Sequence, residues 1–180
     1  LGMGTEGSPG TKIFCVSGDV KAPGFFEAEM SVTLRDLVYG FSKGMKGDKS
    51  FKAALLGGAA GTFVDETFLD VQMAYDSLSE LDATLGSGAV IVMGEGRSIG
   101  DMLHSILRFF KHESCGKCVP CRVGMTQLLR TMDGLRDQNG DGKSGLDQLL
   151  RQAELMSASS LCPLGKSPIL PIRSAATRFR

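Results

Sequence analysis

Three cysteines, each separated from the next by two residues, place the strongest constraint on how this chain folds. They are Cys115, Cys118 and Cys121, and a fourth cysteine, Cys162, follows much later in the chain. This spacing lets one tight loop aim consecutive thiolates at different irons of a compact cluster, and a distant fourth cysteine completes the set when the chain folds back. The pattern therefore predicts one iron-sulfur site with four cysteine ligands.

Two other uses of the cysteines compete with this interpretation. Four cysteines also make a tetrahedral zinc site, but zinc sites usually arise from two separate C-x-x-C pairs and not from a continuous triplet. A set of disulfides is disfavoured, because the five cysteines cannot all pair and a disulfide-rich secreted domain is denser in cysteine. Structural zinc therefore stays open as the alternative to iron and sulfur.

The fourth ligand could in principle be Cys15 or Cys162. Cys15 lies in an apolar, strand-like run, Ile-Phe-Cys-Val, where a cysteine more often serves as a small buried hydrophobic residue. Cys162 is followed by Pro163 and, two residues later, by Gly165. Such a segment cannot continue a helix and leaves its backbone free to approach a ligand. We therefore predict Cys162 as the fourth ligand.

The residues close in sequence to the cysteines are expected to lie around the ligand sulfurs, next to the cysteines that bind the cluster. These neighbours are Ser114, Gly116, Lys117, Arg122, Pro163 and Gly165. Four thiolates around an iron-sulfur cluster leave a net anion, which basic side chains nearby would offset. The candidates for that role are Lys111, Lys117, Arg122 and Lys166; the alternative is that they only form a solvated helix face.

Composition and charge exclude several classes of function. The 180 residues include 20 Lys and Arg and 20 Asp and Glu, and a net charge of zero disfavours a dedicated nucleic-acid binder. No apolar run approaches the roughly 20 residues that cross a bilayer, and no signal-peptide pattern opens the chain. We therefore expect a globular protein of a reducing compartment that does not span a membrane.

The first half of the chain has the apolar patterns of strands, with alternation over 11–20. We predict strands at 11–20, 25–30, 51–56 and 89–93 and one short helix after Thr33, which is a plausible N-cap. The glycine-dense residues 1–10 are expected to be a linker or the edge of an expressed fragment.

The second half changes to helical periodicity. We predict helices at 98–112, 123–132, 146–156 and 169–179. The cysteine triplet would join the first two, and the return of the helical hairpin between Cys121 and Cys162 would bring its far end beside its start. The expected fold class is α+β, with one domain over 11–95 and a helical cluster-binding domain over 96–180.

Two smaller motifs are similar to known binding loops. The segment 137–142 matches the opening of an EF-hand calcium loop, but its twelfth position is Gln148 where a bidentate glutamate is needed, so a hairpin turn is favoured. The glycine loop 57–61 lacks the G-x-G-x-x-G frame and a following helix start, so we interpret it as a strand-end turn.

The cysteine motifs resemble a known family. The segment 112–124, His-Glu-Ser-Cys-Gly-Lys-Cys-Val-Pro-Cys-Arg-Val-Gly, with the later Leu-Cys-Pro-Leu-Gly at 161–165, is similar to the C-terminal part of the NADH-binding flavin subunit of respiratory complex I. It is equally similar to subunits of NAD-reducing and electron-bifurcating hydrogenases and of NAD-dependent formate dehydrogenases. Residues 11–24 resemble the start of that family's soluble-ligand-binding-like (SLBB) β-grasp domain, and 178–180 its closing helix. Pro163 departs from the family, in which a small residue often follows the last cysteine.

The resemblance implies a ubiquitin-like β-grasp domain followed by a small helical bundle, with a 4Fe-4S cluster on Cys115, Cys118, Cys121 and Cys162. It implies electron transfer in an NAD(P)H-linked oxidoreductase, with FMN and NAD(H) bound only in the full assembly. The implied partners are a flavin domain, a thioredoxin-like 2Fe-2S subunit and a further iron-sulfur subunit, in the cytoplasm or an organelle matrix, at the periphery of a membrane complex. No glycine-rich flavin domain precedes Thr11, so this chain alone is expected not to oxidise NADH. The alternative function is a metal-stapled interaction module without catalysis.

Overall fold

The structure is a computed structural model that describes residues 2–137 and 142–179. The central residues of the calcium-like motif, 138–141, and the last residue of the 178–180 motif lie outside the described residues. The chain divides into two compact units, Leu1–Arg97 and Ser98–Arg180.

The first unit is built on one mixed five-stranded sheet. Its strands are β1 (Thr11–Gly18), β2 (Gly24–Glu29), β3 (Phe51–Leu56), β4 (Thr62–Val64) and β5 (Ala89–Gly94). The spatial order is β2-β1-β5-β3-β4. Strands β1 and β5 are parallel, while the other neighbours are antiparallel. The α+β class is confirmed, and the arrangement agrees with the predicted β-grasp domain.

Alternation along β1 separates the two faces of the sheet. Phe14 and Val16 are buried in the core of the unit, whereas Ile13 is 60% exposed, because successive side chains of a strand point to opposite faces. Cys15 shares the face of Ile13 and is half-buried. Cys15 is therefore less buried than the apolar run around it suggested, because its strand position directs it to the face opposite Phe14 and Val16.

The segment after β2 is helical but wider than an α-helix. It is a short π-helix, Asp36–Phe41, in which Ser42 N donates to Leu37 O at 3.0 Å, a bond that spans five residues. Thr33 acts as the predicted cap, because its Oγ1 accepts a 3.1 Å hydrogen bond from Asp36 N.

Four short elements of the first unit were not predicted. They are strand β4, helix α1 (Tyr75–Ser79) and the single 3₁₀ turns Gly58–Ala60 and Glu66–Phe68. Elements of three to five residues are too short to show a period in the sequence. The glycine loop forms the first 3₁₀ turn and joins β3 to β4, as a strand-end turn does.

The second unit consists of five helices among the described residues. They are α2 (Ile99–Glu113), α3 (Val119–Asp137), α4 (Gly142–Ser159), α5 (Pro163–Lys166) and α6 (Ile169–Arg178). Helix α3 packs against α2 and α4, and α4 packs against α6. Ser98 caps α2 by accepting a 3.1 Å hydrogen bond from Asp101 N. No helix in the described part of the chain is long and apolar enough to cross a membrane.

Helices α3 and α4 begin earlier than the apolar pattern predicted, and α5 was not predicted. Helix α3 starts at Val119 and not at 123, which places Pro120 and Cys121 in its first turn. Proline is tolerated there because the first N–H groups of a helix have no partner within the helix. The cysteine triplet therefore ends inside a helix and does not lie entirely in a loop.

Candidate metal centre

The four candidate cysteines occupy the starts of two helices and the loop before one of them. Cys115 lies in the loop between α2 and α3 and is exposed, Cys118 immediately precedes α3, and Cys121 lies in its first turn, 4% exposed. Cys162 is exposed and is the residue before α5. Because two residues separate successive cysteines, Cys115 contributes a sulfur from the loop, Cys118 from the start of α3 and Cys121 from the first turn of α3.

Local hydrogen bonds shape the cysteine loop. Gly116 has a φ of +74°, a left-handed conformation that favours glycine. Arg122 Nη1 donates to Gly116 O at 3.1 Å, so the arginine one turn into α3 holds the loop. Ser114 Oγ lies 3.3 Å from Cys121 Sγ and accepts a 3.4 Å hydrogen bond from Gly116 N.

The segment around Cys162 packs against the end of the triplet. Cys162 is extended, with φ −127° and ψ 166°, and Pro163 opens α5, where the fixed φ of proline suits a helix start. Gly165 is buried, and a β-carbon placed on it would collide with Ser160 Oγ and lie 3.1 Å from Cβ of Cys121. Only glycine allows α5 to approach the first turn of α3 this closely.

Backbone donors converge on the sulfur of Cys118. The N–H of Leu161 has the largest effect, followed by that of Cys121, and together they lower the pKa of the Cys118 thiol against a smaller opposing effect of burial. Leu161 belongs to the segment that carries Cys162. The thiolate is the form of cysteine that binds metal, so the fold prepares Cys118 as a ligand and brings the remote segment to it.

The predicted site residues differ in their positions and in their exposure. Cys118 and Cys121 meet the segment 160–165, whereas Lys117 and Pro163 are exposed and Cys15 belongs to the other compact unit. Within the described residues, no three His, Cys, Asp or Glu side chains are close enough to hold a metal ion.

The chemistry of this donor set nevertheless fits an iron-sulfur cluster. Four sulfurs lie on two approaching segments, N–H groups point at one of them, and a buried hydroxyl beside them, that of Ser160, has no hydrogen-bond partner among the described residues. Iron-sulfur clusters take cysteine thiolates as ligands and accept hydrogen bonds at their sulfurs. Cys115, Cys118, Cys121 and Cys162 would hold the group.

Ser160 and the N–H of Leu161 were not predicted from the sequence. No sequence pattern identifies either group. Which backbone donor lies near which sulfur depends on where the helical hairpin of α3 and α4 places the segment after α4. Of the two histidines, His104 lies with its Nε2 2.9 Å from Asp133 Oδ1 and links α2 to α3, and His112 is exposed near the end of α2.

Comparison with known proteins shows which kind of protein the cysteine-bearing part of the chain is similar to. Residues 101–180 match the NADH-ubiquinone oxidoreductase-F iron-sulfur binding region. This part of the chain is therefore similar to an iron-sulfur binding region, in agreement with the cysteine spacing.

Relatives match over nearly the whole chain. The F 2 subunit of NADH-quinone oxidoreductase in Rhizobium meliloti (strain 1021) is 35% identical over 180 residues, which cover 99% of this chain and 42% of the relative. The HndC subunit of the NADP-reducing hydrogenase in Solidesulfovibrio fructosivorans is 34% identical, and the match covers 99% of this chain and 36% of that relative. The chain thus spans about two fifths of the length of these relatives.

A solved structure of another protein has a similar fold over nearly the whole chain. The crystal structure of an NAD⁺-reducing [NiFe]-hydrogenase in the H₂-reduced state superposes with a TM-score of 0.82 and 31% identity, covering 96% of this chain and 29% of the hydrogenase chain. The chain is therefore similar to part of the F subunits of NADH-quinone oxidoreductases and to part of subunits of NAD(P)-reducing hydrogenases, as its cysteine motifs predicted.

Proposed function

We propose that this chain is the electron-transfer module of an NAD(P)H-linked oxidoreductase and that Cys115, Cys118, Cys121 and Cys162 bind one 4Fe-4S cluster. Such a cluster accepts and passes on one electron at a time. The observation that carries the proposal is the approach of the segment 160–165 to the triplet, where a β-carbon on Gly165 would lie 3.1 Å from Cβ of Cys121.

The residues around the ligands have separate tasks in this proposal. The hydroxyl of Ser114 lies 3.3 Å from the Cys121 sulfur and orients it. Arg122 fixes the loop through Gly116 O and, with the exposed Lys117, supplies positive charge near four thiolates. Pro163 and Gly165 set the direction of α5 and its close packing, which hold Cys162 near the triplet.

In the full assembly, we infer that electrons reach this site from FMN reduced by NADH or NADPH. They would continue to further clusters or to a quinone, hydrogenase or formate dehydrogenase partner. The relatives support this route, since they are named as subunits of NADH-quinone oxidoreductase and of an NADP-reducing hydrogenase. The proposed partners are a flavin domain, a thioredoxin-like 2Fe-2S subunit and a further iron-sulfur subunit.

We further propose a β-grasp domain over 11–95, a cluster-binding domain over 96–180, and a location in the cytoplasm or an organelle matrix, at the periphery of a membrane complex. The division of the chain into compact units on either side of Arg97 and Ser98 supports the domain boundary.

The test is anaerobic purification of the chain, followed by iron and sulfide analysis and by low-temperature EPR before and after dithionite. About four irons and four sulfides per chain, with an EPR signal that emerges on reduction, are expected for a single 4Fe-4S cluster. Zinc without iron in protein never exposed to air would contradict the proposal and favour a metal-stapled structural module.

A further inference from the structure

The hydroxyl of Ser160 is an unusual feature of the helical unit. The residue is 5% exposed, and its Oγ has no hydrogen-bond partner among the described residues. Buried polar groups in folded proteins nearly always have a partner, and an orphan often marks the position of a group bound from outside the chain. The backbone of Ser160 closes the end of α4, where its N–H donates to Met156 O at 2.9 Å.

The surroundings of this hydroxyl are the proposed ligands. A β-carbon on Gly165 would collide with Ser160 Oγ and would also lie 3.1 Å from Cβ of Cys121, so the hydroxyl and that cysteine flank the same glycine. Ser160 therefore lies beside Cys121, the buried cysteine of the triplet.

Ser114, the other serine of the site, already has polar contacts through its hydroxyl. Ser114 Oγ contacts the Cys121 sulfur and accepts a hydrogen bond from Gly116 N. A serine hydroxyl offers one donor and two acceptor positions, so Ser160 retains its donor for a group of the assembled site. The acceptors that the proposed centre would supply to it are sulfurs.

We propose that Ser160 donates a hydrogen bond from its hydroxyl to a cysteine sulfur of the assembled iron-sulfur centre and thereby raises the reduction potential of that centre. The inference rests on the function proposed above. A donor stabilises the reduced state more than the oxidised state, because the added electron increases the negative charge on the sulfurs. Ser160 is a positioning residue that acts through a ligand and does not bind iron itself.

The experiment compares the anaerobically purified chain with Ser160→Ala by EPR-monitored redox titration. Ser160→Ala should keep its iron and become harder to reduce: at the wild-type midpoint potential, the ratio of reduced to oxidised centre should fall about fivefold, as expected for the loss of one hydrogen bond of ordinary net strength. Ser159→Ala is the matched control, because Ser159 is exposed and its Oγ donates to Leu155 O of its own helix; its potential should match the wild type.

A second measurement does not depend on the potential. Proton ENDOR of the reduced centre after exchange into D₂O should show one exchangeable coupling that Ser160→Ala lacks and Ser160→Thr, which retains the hydroxyl, preserves. Unchanged potential and unchanged couplings in an iron-replete Ser160→Ala would overturn the inference alone. A wild-type chain without iron would instead overturn the proposed function on which the inference rests.

Discussion

At the scale of single residues, four of the five cysteines are predicted ligands, and Cys15 is predicted not to bind the cluster. Serine offers a harder oxygen donor that holds iron-sulfur clusters poorly. Cys118→Ser and Cys162→Ser should therefore lose the cluster or convert it to another type, as measured by iron content and EPR.

Cys15→Ser is the control for this prediction. Cys15 lies on β1, opposite Phe25 of β2 and Ala89 of β5, in the other compact unit. Its replacement should leave iron content and the EPR spectrum unchanged. Full iron retention in Cys162→Ser would contradict the assignment of the remote ligand.

A second residue of consequence is Asp19, which follows β1. Its side chain is 7% exposed and accepts hydrogen bonds from Arg97 Nε and Nη2, both at 2.9 Å, and from Gly94 N at 3.1 Å. The parallel pairing of β1 and β5 brings these residues together. The guanidinium of Arg97, which has the largest effect, holds the pKa of Asp19 far below its ordinary value.

Asp19→Asn should therefore lower the free energy of unfolding by about 2 kcal/mol at pH 7, since a charge-assisted pair with a buried acceptor is lost. Because the folded pKa is depressed, the contribution of Asp19 is fully present above the unfolded value of about 3.9 and declines as the pH falls below it. Urea unfolding between pH 7 and pH 3 should show a steeper loss in the wild type than in Asp19→Asn. Equal slopes for the two proteins would show that the pair does not couple folding to pH.

At the scale of elements, the approach of α5 to α3 depends on the missing side chain of Gly165. An added methyl group would meet Ser160 and Cys121, which are part of the packed centre. Gly165→Ala should reduce iron incorporation and lower the free energy of unfolding by about 1–3 kcal/mol, as overpacking does. Iron analysis and urea unfolding measure the two effects.

Gly134 in α3 provides a matched control. A β-carbon there would meet no atom within 4 Å, and alanine favours a helix interior over glycine by about 0.5–1 kcal/mol. Gly134→Ala should keep its iron and become slightly more stable. If Gly165→Ala also retained full iron and stability, the close contact of α5 with α3 would not be needed for the centre.

At the scale of the whole molecule, the two compact units should respond differently to loss of the cluster. Metal centres stabilise the segments whose ligands they connect, and all four predicted ligands belong to the second unit. Removing iron should lower the melting temperature of that unit and leave that of the first unit unchanged.

The sequence supplies a separate probe for each unit. The chain has no tryptophan and only two tyrosines, Tyr39 and Tyr75, both in the first unit, so tyrosine fluorescence reports that unit alone. Far-UV circular dichroism at about 222 nm is dominated by the long helices α2, α3 and α4, which carry most of the helical peptide groups. Coincident shifts of both signals on iron removal would mean that the units unfold together.

Much of the fold was readable before the structure. The strands at 51–56 and 89–93 and the helix that begins after Ser98 were predicted nearly to their boundaries. The two strands are short apolar runs, and the apolar period of 3.6 residues persists over the full length of the helix. The π-helix, β4 and α5 were not predicted, since each is short and owes its form to the packing around it.

The sequence by itself determined the chemistry of this protein: the spacing of Cys115, Cys118 and Cys121 and the remote Cys162 specify the kind of group that it can hold, because ligand type and spacing are local properties. Only the tertiary structure decided which backbone N–H reaches the Cys118 sulfur, that Gly165 must lack a side chain, and that the Ser160 hydroxyl is left without a partner beside the ligands. These features depend on where the hairpin of α3 and α4 returns, and that position results from packing among residues far apart in the chain.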